Sequence, residues 1–197
     1  MTSGLTMPAA APVPSPFPSV DALLRALARG DAVHDEPGFD VLAHSLQCGA
    51  LLRAEHPDDQ ELAVAGLVHD VWDAVVPGDH RDHDTRGAAL VEPLLGARVA
   101  RLVAGHVHAK RYLVASERTY ANGLSVRSVE TLAEQGGALD DDALARFAAS
   151  PDFEAMLSLR RADERAKVLG AVVPGLGSWR ELLAEVQANA RGRLPLQ

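Results

Sequence analysis

Hydrophobic residues recur at helical spacing along most of the chain, and no segment alternates apolar and polar residues as a half-buried strand would. After Ser19, for example, Leu23, Leu24 and Leu27 fall on one side of a helix that Ser19 would cap and Gly30 would end. The pattern predicts helices at residues 19–29, 39–55, 58–76, 87–95, 97–113, 125–133, 140–148, 153–169 and 178–190. The expected fold class is therefore all-α.

The predicted helix 58–76 differs from the others because it is apolar almost all round. Asp58 and Glu61 at its start have the spacing of a capping box, and we expect the helix to be central in the fold. It carries the adjacent pair His69 and Asp70 inside the apolar run. Burying two ionisable groups is costly unless they have a partner, most often a metal ion or another charge.

The whole chain has 197 residues, of which 47% are hydrophobic and 23% charged, and this length and composition fit a single domain. Residues 1–18 are rich in proline and alanine, so we expect a disordered tail there, one helical domain over 19–192 and a short tail over 193–197. Pro93 is expected to interrupt the helix at 87–95.

Charge and cysteine content narrow the classes of function. The formal net charge of −8 disfavours a surface for nucleic acid or anionic membranes, although a local basic pocket for a small phosphate-bearing molecule is compatible with it. The single cysteine, Cys48, precludes an internal disulfide, and no apolar run approaches the roughly 20 residues that span a bilayer. No secretory signal is recognisable at the start, so a cytoplasmic location is expected.

Metal-type side chains recur on or beside the predicted helices. They form a mixed nitrogen and oxygen set that suits iron, manganese, zinc or cobalt better than calcium, and six ligands exceed one tetrahedral ion. We therefore expect two metal ions bridged by Asp70. The expected ligands are His44, His69 and Asp163 on the first ion, His83 and His106 on the second, and Asp70 on both.

This order of ligands resembles that of the HD-domain superfamily, an all-α fold of metal-dependent phosphohydrolases and related oxygenases. The similarity covers about residues 40–170. Within it, three further segments resemble the PhnZ-like branch of mixed-valent diiron oxygenases, which cleave the carbon–phosphorus bond of 1-hydroxyalkylphosphonates. These segments are HVHAKRYL at 106–113, QGG at 135–137 and RRADERAK at 160–167.

The resemblance implies a helical bundle around two irons, Fe(II) and Fe(III), with O2 as co-substrate and inorganic phosphate as a product. Asp70 and Lys110 would be catalytic, and Lys110, Ser128 and Arg160 would grip the phosphonate, as a dianion requires fixed cations and donors. A 2-oxoglutarate-dependent hydroxylase would supply the substrate's hydroxyl group.

The chain departs from this branch at positions that would contact the part of the substrate beyond its phosphonate group. Relatives often carry Tyr and Glu ten and seven residues before the first ligand, where this chain has His34 and Pro37, with Glu36 one place away. They often have His three residues after the HD aspartate, where this chain has Asp73. We expect Asp73 and His34 to contact the substrate, and these departures disfavour binding of an aminated phosphonate in the relatives' manner.

Two other functions remain open from the sequence. The same metals would let a phosphohydrolase activate water against a phosphomonoester or nucleotide. A non-catalytic HD module with a structural metal is the other alternative. Individual side chains also have plainer interpretations. His56, His80 and His108 are expected as loop or surface residues. Lys167 is either a solvated helix charge or, as the motif suggests, part of the site, and Gln47 is either a polar group on a helix face or a group that orients a ligand imidazole.

Overall fold

The computed structural model describes residues 14–34 and 38–192, and these residues form ten α-helices without an extended strand. The all-α prediction is confirmed. The helices are α1 (Val20–Ala28), α2 (Val41–Glu55), α3 (Gln60–Val68), α4 (Val71–Val75), α5 (His83–Leu95), α6 (Ala97–Ser116), α7 (Val126–Glu134), α8 (Asp141–Ala148), α9 (Phe153–Arg165) and α10 (Arg180–Gly192).

Helix α3 is the centre of the bundle, as its apolar pattern predicts. Its residues from Leu62 to Val68 are all buried, and it packs against α2, α6, α9 and α10. Two glycines allow close approach. A Cβ on Gly66 would lie 2.5 Å from Leu52 Cδ1, and one on Gly49 would lie 2.7 Å from a ring carbon of the buried Trp179. The metal-type side chains are thus held on tightly packed helices.

Side-chain caps define several helix starts. The side chain of Ser19 accepts a hydrogen bond from Ala22 N–H, as predicted. The predicted cap Asp58 is wrong by one residue, because Asp59 accepts the bond from Leu62 N–H. The last helix was predicted to begin at Ser178, but Ser178 lies in a short 3-10 turn, Leu176–Trp179, that runs into α10.

The predicted single helix over 58–76 breaks at His69 and Asp70 into α3 and α4. The backbone at Asp70 has φ −102° and ψ 24°, outside the regular helix. Neighbouring residues in an unbroken helix point about 100° apart, so His69 and Asp70 would not face one centre. The break therefore permits both side chains to reach the same place.

Other helix boundaries also differ from prediction. Helix α5 begins at His83 and is not interrupted by Pro93 as expected; it continues to Leu95, where Gly96, with φ +89°, ends it. Helix α1 is prolonged by a 3-10 turn through Gly30. Helix α9 ends at Arg165 rather than 169, which places Lys167 beyond the helix.

The chain ends lie largely outside the described residues. The expectations for residues 1–13, for Glu36 and Pro37 and for 193–197 fall there. Phe17, however, packs against the core and its N–H donates to Leu90 O at 3.1 Å, so the described structure begins before Ser19. Among the described helices, none is both long and apolar enough to cross a membrane.

Candidate metal centre and anion pocket

Two clusters of potential metal ligands meet at Asp70. In the first, the Nε2 atoms of His44 and His69 lie 3.5 and 3.1 Å from Asp70 Oδ2. In the second, the Nε2 atoms of His83 and His106 lie 3.7 and 3.8 Å from Asp70 Oδ1. Because each oxygen of one carboxylate faces a different pair of imidazoles, Asp70 is placed to bridge two metal ions.

Asp163 joins the first cluster from α9. Its Oδ1 lies 3.1 Å from His44 Nε2 and 3.8 Å from His69 Nε2. The structure therefore brings all six predicted ligands together from four helices, α2, α5, α6 and α9, and from the turn between α3 and α4.

Each of the four imidazoles is oriented by a backbone carbonyl that accepts a hydrogen bond from its Nδ1. A carbonyl only accepts, so Nδ1 carries the proton and Nε2 is left with a lone pair. The bonds run from His44 to Ala166 O (3.0 Å), His69 to Gly66 O (2.9 Å), His83 to His80 O (3.1 Å) and His106 to Val103 O (2.7 Å). This is the tautomer and outer support typical of metal-binding histidines.

The spacing of the Nε2 atoms tests whether metals fit. The Nε2 atoms of His44 and His69 are 3.2 Å apart, and those of His83 and His106 are 3.1 Å apart. Two neutral imidazoles with protons on Nδ1 would face each other with lone pairs, an arrangement that a shared cation stabilises. Ligand nitrogens about 2.1 Å from one ion are separated by about this distance, so both clusters fit a metal ion.

Electrostatics also favours positive charge at the first cluster. Burial opposes protonation of His69, yet the charge of Asp70 raises the pKa of its imidazole well above the usual value. Burial would raise the pKa of Asp70, but His69 and the other imidazoles lower it. Burial, with His83 and His69 nearby, lowers the pKa of His106 to about 3. Asp70 is thus ionised and His106 neutral, the forms that bind metals.

Arg160 connects the centre to an anion pocket. Its side chain is 4% exposed, and its guanidinium donates to Asp163, to Glu164, to Ser128 Oγ (3.2 Å) and to the Tyr120 hydroxyl (2.8 Å). Burial would raise the pKa of Asp163, but Arg160 holds it well below its usual range. Arg160 therefore both stabilises a ligand carboxylate and lines the cavity beside it.

Two lysines face the same cavity. Lys110, one turn after His106 on α6, is 5% exposed and donates to Thr131 Oγ1 at 2.9 Å. Burial, together with nearby Arg160, lowers its pKa to about 8. Lys167, a solvated helix charge in one of its two interpretations from sequence, instead donates to Ser125 Oγ and Ser128 Oγ at 2.9 and 3.2 Å. Cations and hydroxyl groups thus gather beside the metal ligands.

The pocket lining also includes a carboxylate that is not among the predicted metal ligands. Asp73 is 5% exposed, and its Oδ1 accepts a hydrogen bond from His80 Nδ1 at 3.0 Å; both residues line the cavity. His80, predicted as a loop or surface residue, lies in the loop after α4, and its side chain also reaches the pocket lining. His34 is exposed and borders a separate depression with Pro77 and Gly78, so the structure does not bring it to the metal pocket.

Several residues of the site escape sequence reasoning. Thr131 and Gln135 line the cavity beside Lys110, and Glu164 joins α9 to α7. Their helical spacing from residues already singled out was the available signal: Thr131 is three residues after Ser128, and Glu164 is four after Arg160.

Two sequence-predicted features have structural roles. Gln47 does not orient an imidazole; its Oε1 accepts the Val168 N–H at 3.0 Å and fixes the chain after α9. In the QGG segment, Gly136 and Gly137 have φ +92° and +68° and their carbonyls accept hydrogen bonds from Arg111. These glycines close α7 rather than touch the pocket.

Comparisons with known proteins agree with this geometry. The family pattern of the HD domain matches residues 41–149. A hydroxymethylphosphonate dioxygenase of Gimesia maris is 34% identical over 161 residues, covering 76% of this chain and 78% of the relative. A [1-hydroxy-2-(trimethylamino)ethyl]phosphonate dioxygenase of Leisingera caerulea is 30% identical over 147 residues, covering 71% and 74%.

A third relative, uncharacterized protein L432 of Acanthamoeba polyphaga mimivirus, is 27% identical over 146 residues, covering 69% of this chain and 67% of the viral protein. The resemblance predicted from the motifs is confirmed by the family match and by the two named dioxygenases. The chain belongs to the HD-domain family, in the branch that contains these phosphonate dioxygenases.

Proposed function

We propose that this protein is an O2-dependent oxygenase that cleaves the carbon–phosphorus bond of a small 1-hydroxyalkylphosphonate and releases inorganic phosphate. One observation carries the proposal: a single pocket holds two ligand clusters sharing Asp70 and, next to them, the cations Lys110, Arg160 and Lys167. A metal pair adjacent to a cationic cluster suits a substrate with a hydroxyl group beside a phosphonate. The activity named for the two relatives is the same class of reaction.

The metals in this proposal are two irons in a mixed-valent Fe(II)/Fe(III) state. His44, His69 and Asp163 would hold one, His83 and His106 the other, with Asp70 shared. When bound, iron supplies electron exchange with O2 and Lewis acidity toward the substrate's oxygens. Histidine and carboxylate ligands suit iron, and the orienting carbonyls keep each Nε2 directed at its ion.

The chain's own residues would bind and orient the phosphonate. The Lys110 ammonium offers a point charge. The Arg160 guanidinium already donates to four protein groups and keeps one further Nη1 N–H, so each of the two cations would fix one phosphonate oxygen. Ser128 holds Arg160 and Lys167 by hydrogen bonds, which keeps both cations directed into the cavity. Burial of Lys110 strengthens its attraction for the dianion, since little water competes.

The overall reaction is an oxygenation. The carbon–phosphorus bond breaks, both atoms of one O2 are incorporated, and the substrate carbon becomes a carboxylate while phosphorus leaves as phosphate. A separate hydroxylating enzyme must supply the 1-hydroxyl group, and a 2-oxoglutarate-dependent oxygenase is our proposal for it.

The free thiol of Cys48 is consistent with the proposed cytoplasmic location.

The proposal is tested by incubating iron-loaded protein with hydroxymethylphosphonate and larger 1-hydroxyphosphonates, with and without O2, and measuring phosphate and O2. We expect equimolar O2 consumption and phosphate release, and none under anaerobic conditions. Phosphomonoesters with manganese or zinc form the second arm, because a phosphohydrolase would use the same clusters to activate water. Ester hydrolysis, or phosphate release without O2, would overturn the proposal in favour of that activity.

A further inference from the structure

Glu164 is a partly buried carboxylate at the junction of α9 and α7, and the proposed reaction assigns it no role. Its Oε1 accepts the backbone N–H of Ser125 at 2.8 Å, and its Oε2 accepts the Ser128 hydroxyl at 3.0 Å. Arg160 also donates to Oε2, and Lys167 Nζ lies 3.6 Å from Oε1. One side chain thus contacts both the start of α7 and two cations of the pocket.

Helix α7 has little apolar attachment to the bundle. Ser128 is its only buried residue, while Val126 and Val129 are 78% and 50% exposed. Its polar contacts with the bundle include those with Glu164, Lys110, Arg160 and Lys167. A helix without a buried apolar face depends on such contacts for its position, so α7 is held by the groups that surround the pocket.

The hydroxyl of Ser128 shows how Glu164 directs this arrangement. A serine hydroxyl has one proton to donate and two lone pairs to accept. The proton goes to Glu164 Oε2, and the lone pairs accept from Arg160 Nη2 and Lys167 Nζ, each at 3.2 Å. Glu164 therefore sets the direction of the hydroxyl that spaces the two cations.

We propose that Glu164 is a positioning residue that anchors α7 to α9 and so presets the cations and hydroxyls of the pocket for a phosphonate or phosphate dianion. A carboxylate beside an anion site is repulsive in itself, so its presence is favourable only if it organises more positive charge than it adds negative. The part concerning turnover rests on the proposed function, whereas the anchoring of α7 does not.

The test compares Glu164→Gln with wild type by hydrogen–deuterium exchange of the amides and by binding of inorganic phosphate to the iron-loaded protein. The amide of Gln keeps an acceptor oxygen but cannot accept from all the donors that Glu164 satisfies. We expect α7 amides to exchange about tenfold faster, with α5 and α6 unchanged, and phosphate to bind about tenfold more weakly. With substrate, KM rises about tenfold while kcat changes less than about threefold.

The matched control is Glu117→Gln, which removes a carboxylate that pairs with Arg161 on the exposed side of the same helix α9. It should leave α7 exchange and phosphate affinity at wild-type values. Glu164→Asp, which keeps the charge but shortens the reach, should loosen α7 in the same manner as Glu164→Gln.

Unchanged α7 exchange and unchanged phosphate affinity in both Glu164 variants would overturn the proposal. Loss of protection across α5 and α6 in both variants would also overturn it, because Glu164 would then support the whole fold. If the wild-type protein lacks phosphonate turnover while the Glu164 variants still show faster exchange of α7 amides, the proposed function alone is refuted.

Discussion

The metal side and the α7 side of the pocket are built in different ways. On the metal side, each histidine receives its orientation from a backbone carbonyl, and three of the ligand-bearing helices, α2, α6 and α9, pack against α3. On the α7 side, Lys110, Arg160 and Ser128 are oriented by other side chains. Backbone-fixed ligands tolerate little change, whereas a network of side chains adjusts to substrates of different shape.

The comparison predicts large losses on metal-side substitution and graded losses elsewhere. His106→Ala should lower turnover by about 10³-fold, which corresponds to about 4 kcal/mol of transition-state stabilisation, because the second metal loses a ligand. Metal content and initial rates measure this. The control is His108→Ala, because His108, two residues after His106, is exposed and stacks on Phe147. Equal activity of the two variants would contradict the assignment.

Replacing a cation of the anion pocket should weaken substrate capture less severely. Lys110→Met should lower kcat/KM by about 10²-fold, because a buried charge-assisted contact is lost. The metal content should stay that of wild type. Arg111→Met is the control, because the Arg111 guanidinium contacts the carbonyls of Gly136 and Gly137. A metal-depleted Lys110 variant would show that the two sides are not independent.

The pH dependence follows from the lowered pKa of Lys110. Burial, with Arg160 nearby, lowers this pKa to about 8, so the ammonium is charged below that pH and loses its charge above it. Wild-type kcat/KM should therefore fall as pH rises through about 8. The Lys110→Met variant should lack this decline. A persisting decline in the variant would assign it to another group.

The smallest effect on activity is expected from a substitution of Asp73, which lines the pocket. Asp73→Asn removes the charge that pairs with His80, and should shift the preference between an aminated phosphonate and hydroxymethylphosphonate by about tenfold, against the aminated one. The ratio of kcat/KM values measures this shift. Asp79→Asn, in the loop that carries His80 but outside the pocket lining, should leave the ratio unchanged. An unchanged ratio in the Asp73 variant would remove Asp73 from substrate recognition.

The candidate ligands of the metal side, which the structure brings together, could be picked out from the sequence because their signals are local. The apolar run around His69 and Asp70, and histidines on amphipathic helices, are visible as patterns of a few residues. The break at Asp70 was not predicted, because the apolar pattern continues through it and ligand geometry overrides helix propensity.

The α7 side was harder to predict because its contacts join residues far apart in sequence. Glu164 meets Ser125 and Ser128 across about forty positions, and nothing in its own neighbourhood distinguishes it from a surface charge. Likewise, Lys167 faces the pocket because α9 ends at Arg165, a boundary that the polar sequence there does not mark.

The central claim is that Asp70 joins two metal sites in one pocket, and metal analysis of the Asp70→Asn variant tests it most directly. After reconstitution with Fe(II) and removal of loosely bound iron, wild-type protein should retain two irons per chain. The variant should retain at most one and lose turnover, since an amide lacks the charge to bridge two cations. Two tightly held irons in the variant, or one in wild type, would contradict the account.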